Sequence, residues 1–308
     1  MAMNVRSLKG MPEWDWPPEA NEILLETLRS PESPDQERLL AARLAASVVV
    51  IDDELARTLL RVGVDSEESE ELRVEALLSL GPALEEMDLG FLDEVLDEPP
   101  LGAGTWNEIR EGLRGLYLDP SVPKIVRRRA LEASIRSPRE WHRGAVRAAY
   151  HDGDPEWRIT ALFCMGYLME FEERIVESLE SDDPRVRFEA VRAAVVGDLE
   201  EAWRKIQPIL LEEDPHRDVL LAAIESVYEL CPEAAEEHLG PFLDAPDPQV
   251  ADAAAHVIRA CLERVALWQE PMGLEREAEE FHREGPSFDA SGRLSLLEPG
   301  ENGRGEED

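Results

Sequence analysis

"SDDPRVRFEAVRAAVV", residues 181–196, opens on acids and a proline, sets arginines among apolar residues, and runs out into alanine and valine. The order is that of a helix built to be covered. Asp183 is placed to accept orphan backbone N–H bonds at a helix N-terminus, and Pro184 suits the first helical position, where its missing N–H costs nothing. Val186, Ala190, Val191 and Ala194 then recur at helical spacing on one face, with alanines small enough to admit a close neighbour. Arg185, Glu189 and Arg192 fall on the other faces. A helix with so little apolar surface cannot stand alone, so the stretch predicts neighbours of its own kind.

Those neighbours are present. Asp-Pro recurs at 119, 154, 183, 214 and 247, with gaps of 35, 29, 31 and 33 residues. Inside that period Arg-x-x-Ala recurs as Arg38/Ala41, Arg73/Ala76, Arg127/Ala130, Arg158/Ala161 and Arg187/Ala190. The one long gap, from Arg73 to Arg127, predicts an insertion, placed at about 85–106 where Pro and Gly cluster after an acidic run. Each unit also carries a second apolar helical segment, such as "EEAWRKIQPILLE", and no segment alternates in the manner of a strand. Two helices per thirty-odd residues, each pair covering the next, predict an all-α fold, an α-solenoid of about seven helical hairpins. The units are expected at 33–64, 66–118, 120–152, 154–181, 183–212, 214–245 and 247–269. A segment 1–17 and a capping helix near 18–30 precede them, giving a repeat domain over 18–269. Trp14 and Trp16 are expected to plug the exposed end. Residues 270–308 drop the pattern, and the Gly-rich acidic "EPGENGRGEED" predicts a mostly disordered tail.

The stretches "DPRVRFEAVRAA", "DPEWRITALFCMG" and "DPQVADAAAHVIRA" resemble HEAT repeats of the short, bacterial, phycobilisome-lyase-like type. "EWDWPPEANEILLETL" and "SVPKIVRRRALEA" further resemble a bacterial family of such proteins. The resemblance spans about residues 14–265 and implies a scaffold or partner-binding surface. It also implies an inter-repeat ladder of turn Asp and helix Arg, carried here by Asp154, Arg158, Asp183 and Arg187. The sixth unit lacks Arg at the matching place and the seventh has Ala251, so the ladder is expected to fail towards the C-terminal end.

Composition narrows the partners. The 68 Asp and Glu against 32 Lys and Arg give a formal charge of −36, a field that repels phosphate backbones and anionic lipid. Nucleic acid and membrane partners are therefore disfavoured, while a solubility surface or a basic partner is permitted. Cys164, Cys231 and Cys261 are far apart and odd in number, and they sit among apolar helical residues. They read as buried thiols in a reducing, cytoplasmic setting.

A search for catalytic constellations gives no G-x-S-x-G, no phosphate loop and no repeated His-Glu pair, so no catalytic residue, cofactor or metal ligand is assigned. One local feature stands out. Between Lys124 and Arg147 there are eight basic residues and two acids, with Trp141, His142 and Tyr150 in or beside the block. Arg139, Trp141, His142, Arg143, Arg147 and Tyr150 are the candidate residues for an anionic ligand or a partner, on a second helix expected to line the concave side. Three readings of the block stay open: a neutralising surface, an external anion site, and a dock for the acidic tail. The functional expectation is a non-enzymatic scaffold that binds a protein or peptide on its concave face. A HEAT-like lyase or protein-modification factor is the alternative, and a nucleic-acid binder the third.

Overall fold

The chain is seen in a computed structural model that describes residues 4–90, 99–211 and 216–269. The stretch 181–196 forms the helix its sequence predicts. Asp183 accepts from the Arg185 amide at 2.9 Å, Pro184 opens the helix, and Val186, Ala190, Val191 and Ala194 are buried. Asp154 and Pro155 repeat the device, with the Asp154 carboxylate accepting from the Glu156 amide at 2.9 Å. Asp119 does not, because its carboxylate closes a turn on Ser121 and Pro123 leads the next helix instead. Glu189 and Arg192 depart from the expected solvent faces, since their side chains are 14% and 17% exposed and pair with each other.

The helices follow in chain order: α1 (Val5–Lys9), α2 (Ala20–Arg29), α3 (Asp35–Leu44), α4 (Asp53–Val64), α5 (Glu70–Leu78), α6 (Gly81–Leu89) and α7 (Ala103–Leu118). Then come α8 (Lys124–Ser134), α9 (Glu140–His151), α10 (Pro155–Met165), α11 (Glu172–Ser178), α12 (Pro184–Val196), α13 (Trp203–Leu211), α14 (Arg217–Leu230), α15 (Ala235–Leu239) and α16 (Pro248–Gln269). No strand occurs among the described residues. The first helices of the units, α3, α5, α8, α10, α12, α14 and α16, pack each on the next in one unbroken row. Helices α2, α4, α7, α9, α11, α13 and α15 form the second row, each packed on a first-row helix. This is an α-solenoid of HEAT-like hairpins. In the second unit α6 is an extra helix lying against α8, and residues 91–98, the middle of the expected insertion, lie outside the described residues, as does the acidic stretch 270–308.

The recurring arginine has a local task. Arg38, Arg73 and Arg127 each donate to a backbone carbonyl ten residues earlier, Leu28, Gly63 and Tyr117, at the C-terminal end of the preceding helix. Last-turn carbonyls have no partner inside their own helix, so each guanidinium ties a second-row helix to the next first-row helix. Among the ends of the stack, Trp16 donates to the carbonyls of Leu8 and Met11 and packs on the N-terminal core, whereas Trp14 stays 55% exposed. Only one of the two expected plugs is therefore used, and α1 supplies the rest.

The apolar interior is divided in two. One cluster runs from Val5 to Ala133 and the other from Leu131 to Cys261, so they meet at α8. At that junction the helix interface is polar. Thr160 on α10 takes Arg128 Nε at 2.9 Å and donates to Glu132 at 2.6 Å, while Arg128 also reaches Glu156 at 2.8 Å. Arg128, Glu132 and Thr160 are all buried. All three cysteines are free and buried, and burial pushes the Cys164 thiol well up. No described helix is long and apolar enough to cross a membrane.

Candidate functional site

The basic block of the third unit does not form one patch. Helix α9 begins with Arg139 at its N-cap, and His142 turns back to accept the Arg139 amide on Nδ1 at 2.9 Å. The other ring nitrogen lies 3.0 Å from Ser134 Oγ, which itself donates to the Leu131 carbonyl. That chain fixes the proton on Nε2. His142 is 1% exposed, and burial, assisted by the charges of Arg139 and Arg114, pushes its pKa down to about 4. It is a neutral structural cap and takes no external ligand.

Arg143 and Arg147 lie further along α9 and are exposed, but both bind one carboxylate, Glu170, at 3.3 and 2.9 Å. Arg147 and Tyr150 line a shallow depression of about 510 Å³ whose other walls include Glu170, Glu172 and Glu173. With three carboxylates against Arg147 and Arg174, that depression has no net pull on an anion. Tyr150 faces the Arg158 guanidinium, 5.3 Å from the ring centre. Arg139 and Trp141 turn instead towards α7, where Trp106, Arg110 and Arg114 await them. Trp157 is buried between α10 and α7, edge-on to Tyr117.

Ion pairs do recur one repeat apart, with Asp154 of the residues the family pattern implied and with others besides. Arg38 pairs with Glu68, Arg43 with Glu75, Lys124 with Asp154, Arg128 with Glu156, and Arg217 with Asp247. Asp154 thus serves as a rung, its carboxyl held low by Lys124. Arg158 is engaged with Tyr150, while Arg187 donates to the Ser181 and Asp182 carbonyls and lies 3.3 Å from His216 Nδ1. Asp183 caps its own helix. The pairing continues at the C-terminal end, where Arg217 lies one residue C-terminal to the open N-cap site of α14 and reaches Asp247 at 2.8 Å.

A groove lies on the first-helix row, away from the second helices that were expected to carry the binding face. This groove, of about 440 Å³, runs along α12, α14 and α16 and is closed at one end by α6 and the turns after α8 and α10. Its floor is apolar, with Val191, Val195, Val196, Ala222, Val257 and Ala260. Leu89 and Val196 show 53% and 45% of their surface to solvent here. Polar groups stand at its rim: Arg136 bound to Glu85 at 2.7 Å, Glu229 bound to Arg264 at 2.9 Å, Glu225 and His256. Tyr167 is half-buried at its edge, and loss of solvent around the phenol pushes its pKa up to about 12, so it stays neutral. The reason for the placement is the repeat itself. A first helix buries one stripe against each neighbour, and at the C-terminal turns the edge of that stripe leaves Val195, Val196 and Ala260 partly uncovered beside the buried Val191 and Val257. Among the described residues no group of three or more His, Cys, Asp or Glu converges as a metal site would. The groove was missed because its residues come from six separate segments, and the only sequence signal was the run of small apolar residues after each motif Ala.

No family model matches the chain, and no curated protein does. Solved structures are similar in fold. The complex of CpcE and CpcF of phycocyanin lyase from Nostoc sp. aligns with a TM-score of 0.47 at 16% identity over 82% of this chain and 98% of that one. Kap95p, bound to RanGDP, aligns at 0.44 and 15% identity over 89% of this chain and 39% of that one. Human deoxyhypusine hydroxylase aligns at 0.35 and 15% identity over 80% of this chain and 96% of that one.

Proposed function

We propose that the protein is a non-enzymatic interaction scaffold, and that it holds a segment of a partner protein in the groove along α12, α14 and α16. The observation that carries this reading is an apolar floor open to water between charged rims. Val196 and Leu89 are large apolar side chains left about half exposed, and a partner's apolar side chains would remove them from solvent. Rim carboxylates on a chain of charge −36 favour a segment whose apolar anchors are flanked by Lys or Arg, with the field acting mainly on the rate of encounter.

The test is a photo-crosslinking residue at position 196 and, as a control, at Met169, which is 96% exposed and outside the groove. The reading expects one protein joined at 196 and not at 169. It further expects Val196→Glu with Ala260→Glu to remove that partner while helical circular dichroism is unchanged. Crosslinks equal at both positions, or a partner retained by the double variant, would overturn it.

A further inference from the structure

In a chain with more than two acids for each base, most of the described arginines have a carboxylate within ion-pair reach. Arg6, Arg29, Arg38, Arg57, Arg128, Arg136, Arg147 and Arg185 all have one within ion-pair reach. Arg73 and Arg127 use their guanidinium groups on helix-end carbonyls. Arg110 and Arg139, like Arg61, Arg158, Arg204 and Arg259, do neither. They meet instead over one indole: Arg110, one turn along α7 from Trp106, sits 4.5 Å from that ring, and Arg139 sits 5.3 Å from it. One turn further on, Arg114 lies 5.9 Å from the ring of Trp141, which stacks on His142 at 3.8 Å. Arg114 has only a loose contact with Glu111, at 3.7 Å.

The cluster also holds unspent donors. Trp106 Nε1, Arg110 Nε and Arg114 Nε are out of solvent with no hydrogen-bond acceptor. Polar hydrogens in that condition are destabilising unless something supplies an acceptor. A guanidinium held against a ring face can still present its Nη–H edge to a planar or tetrahedral oxyanion. Among the described residues the neighbouring carboxylates are few. Glu108 is bound to Arg57 at 2.9 Å, Glu111 is loosely held, and Glu140 stands exposed beside Arg139.

We propose that Arg110, Arg114 and Arg139, held by Trp106 and Trp141 on the second-helix row, form a site for an oxyanion presented by a protein: a phosphoserine phosphate or a run of Glu and Asp carboxylates. A protein ligand fits better than a polyanion of nucleic acid, because three arginines span a single group and the surrounding field of the −36 chain repels a long phosphate backbone. The site is built from α7 and the start of α9 and shares no residue with the groove. It therefore stands or falls independently of the scaffold reading.

The experiment uses the full chain labelled with 15N and follows the indole N–H signals of Trp106 and Trp141. The probes are inorganic phosphate, a Gly-Gly-phosphoserine-Gly-Gly peptide, the same peptide unphosphorylated, hexaglutamate, and a twenty-nucleotide single-stranded DNA. The proposal expects saturable shifts of both indoles with the phosphopeptide, with hexaglutamate, or with both, and none with the unphosphorylated peptide. Which of the two binds more tightly identifies the source of the oxyanion. Arg139→Gln, at an exposed position that His142 caps through the backbone, is expected to weaken binding about tenfold, the loss of one charge-assisted pair. Arg110→Gln with Arg139→Gln is expected to abolish it with circular dichroism unchanged. Absence of saturable shifts with both acidic probes, shifts that persist in the double variant, or DNA binding more tightly than either peptide would overturn the proposal.

Discussion

His142 shows how a residue chosen for chemistry can turn out to be architecture. Its Nδ1 caps the first turn of α9 and its Nε2–H reaches Ser134, so the ring is useful only when neutral. Burial holds its pKa at about 4, below the ordinary 6.5. Between those values the unfolded chain binds a proton that the native chain refuses, so native stability falls as pH drops through that window. The loss approaches roughly 3 kcal/mol below pH 4 and is absent at pH 7. Urea unfolding of the protein and of His142→Gln at pH 7 and pH 4.5 measures it. The variant is expected to be less stable at pH 7 and to lose much of that disadvantage at pH 4.5, and parallel pH profiles would remove the linkage. Trp141, the neighbouring residue, was equally legible as an aromatic beside cations. Its partner Arg114 was not, because it arrives from α7, 27 positions earlier in the chain.

At the level of helices, the small residues decide how closely the rows stack. Gly166 ends α10 against α12, where a Cβ would lie 2.9 Å from the Ala193 carbonyl oxygen and 3.1 Å from the Ala193 Cα. Both obstacles are backbone, so neither can rotate away. Gly166→Ala is expected to destabilise by about 1–3 kcal/mol through separation of α10 from α12, although alanine is the better helix former. Chemical denaturation measures this, and a neutral or stabilising result would show that the two helices can slide apart freely. The alanines of the first helices, Ala190 and Ala194 among them, announced close approach. Which glycine would bear it could not be read, since Gly104, Gly115 and Gly144 have nothing near their Cβ positions.

Over the whole molecule, two apolar clusters share one stack and meet at the buried Arg128, Glu132 and Thr160 of the α8–α10 interface. Repeat arrays are stabilised by each unit and its contact with the next, so the least apolar contact is where cooperativity is weakest. Native-state hydrogen exchange is expected to give one opening free energy for helices α2 to α5 and another for α12 to α16. Thr160→Val, which leaves Arg128 Nε and Glu132 without their shared partner, is expected to widen the difference. A single free energy shared by both halves, before and after the substitution, would show that the polar junction transmits stability as well as an apolar one.

What the sequence by itself determined is the repeat: helix starts at Asp183 and Asp154, the buried stripe of Val186, Ala190, Val191 and Ala194, the period, and the all-α solenoid that follows. These depend on local capping chemistry and on periodicity, which are written within a single unit. What only the tertiary structure decided is where each charge and each aromatic ring ends up. Arg143 and Arg147 were neutralised by Glu170 from the next unit, and Glu189, read as exposed, is buried beside Arg192. Arg139 and Trp141 joined Trp106, Arg110 and Arg114 between the second helices of adjacent units. The groove collects Leu89, Val196 and Ala260 from helices far apart in the chain. The physical reason is that the stacking geometry sets the rotation of one unit on the next. A few degrees of that rotation decide which side chains share a face, and no motif within one repeat encodes it.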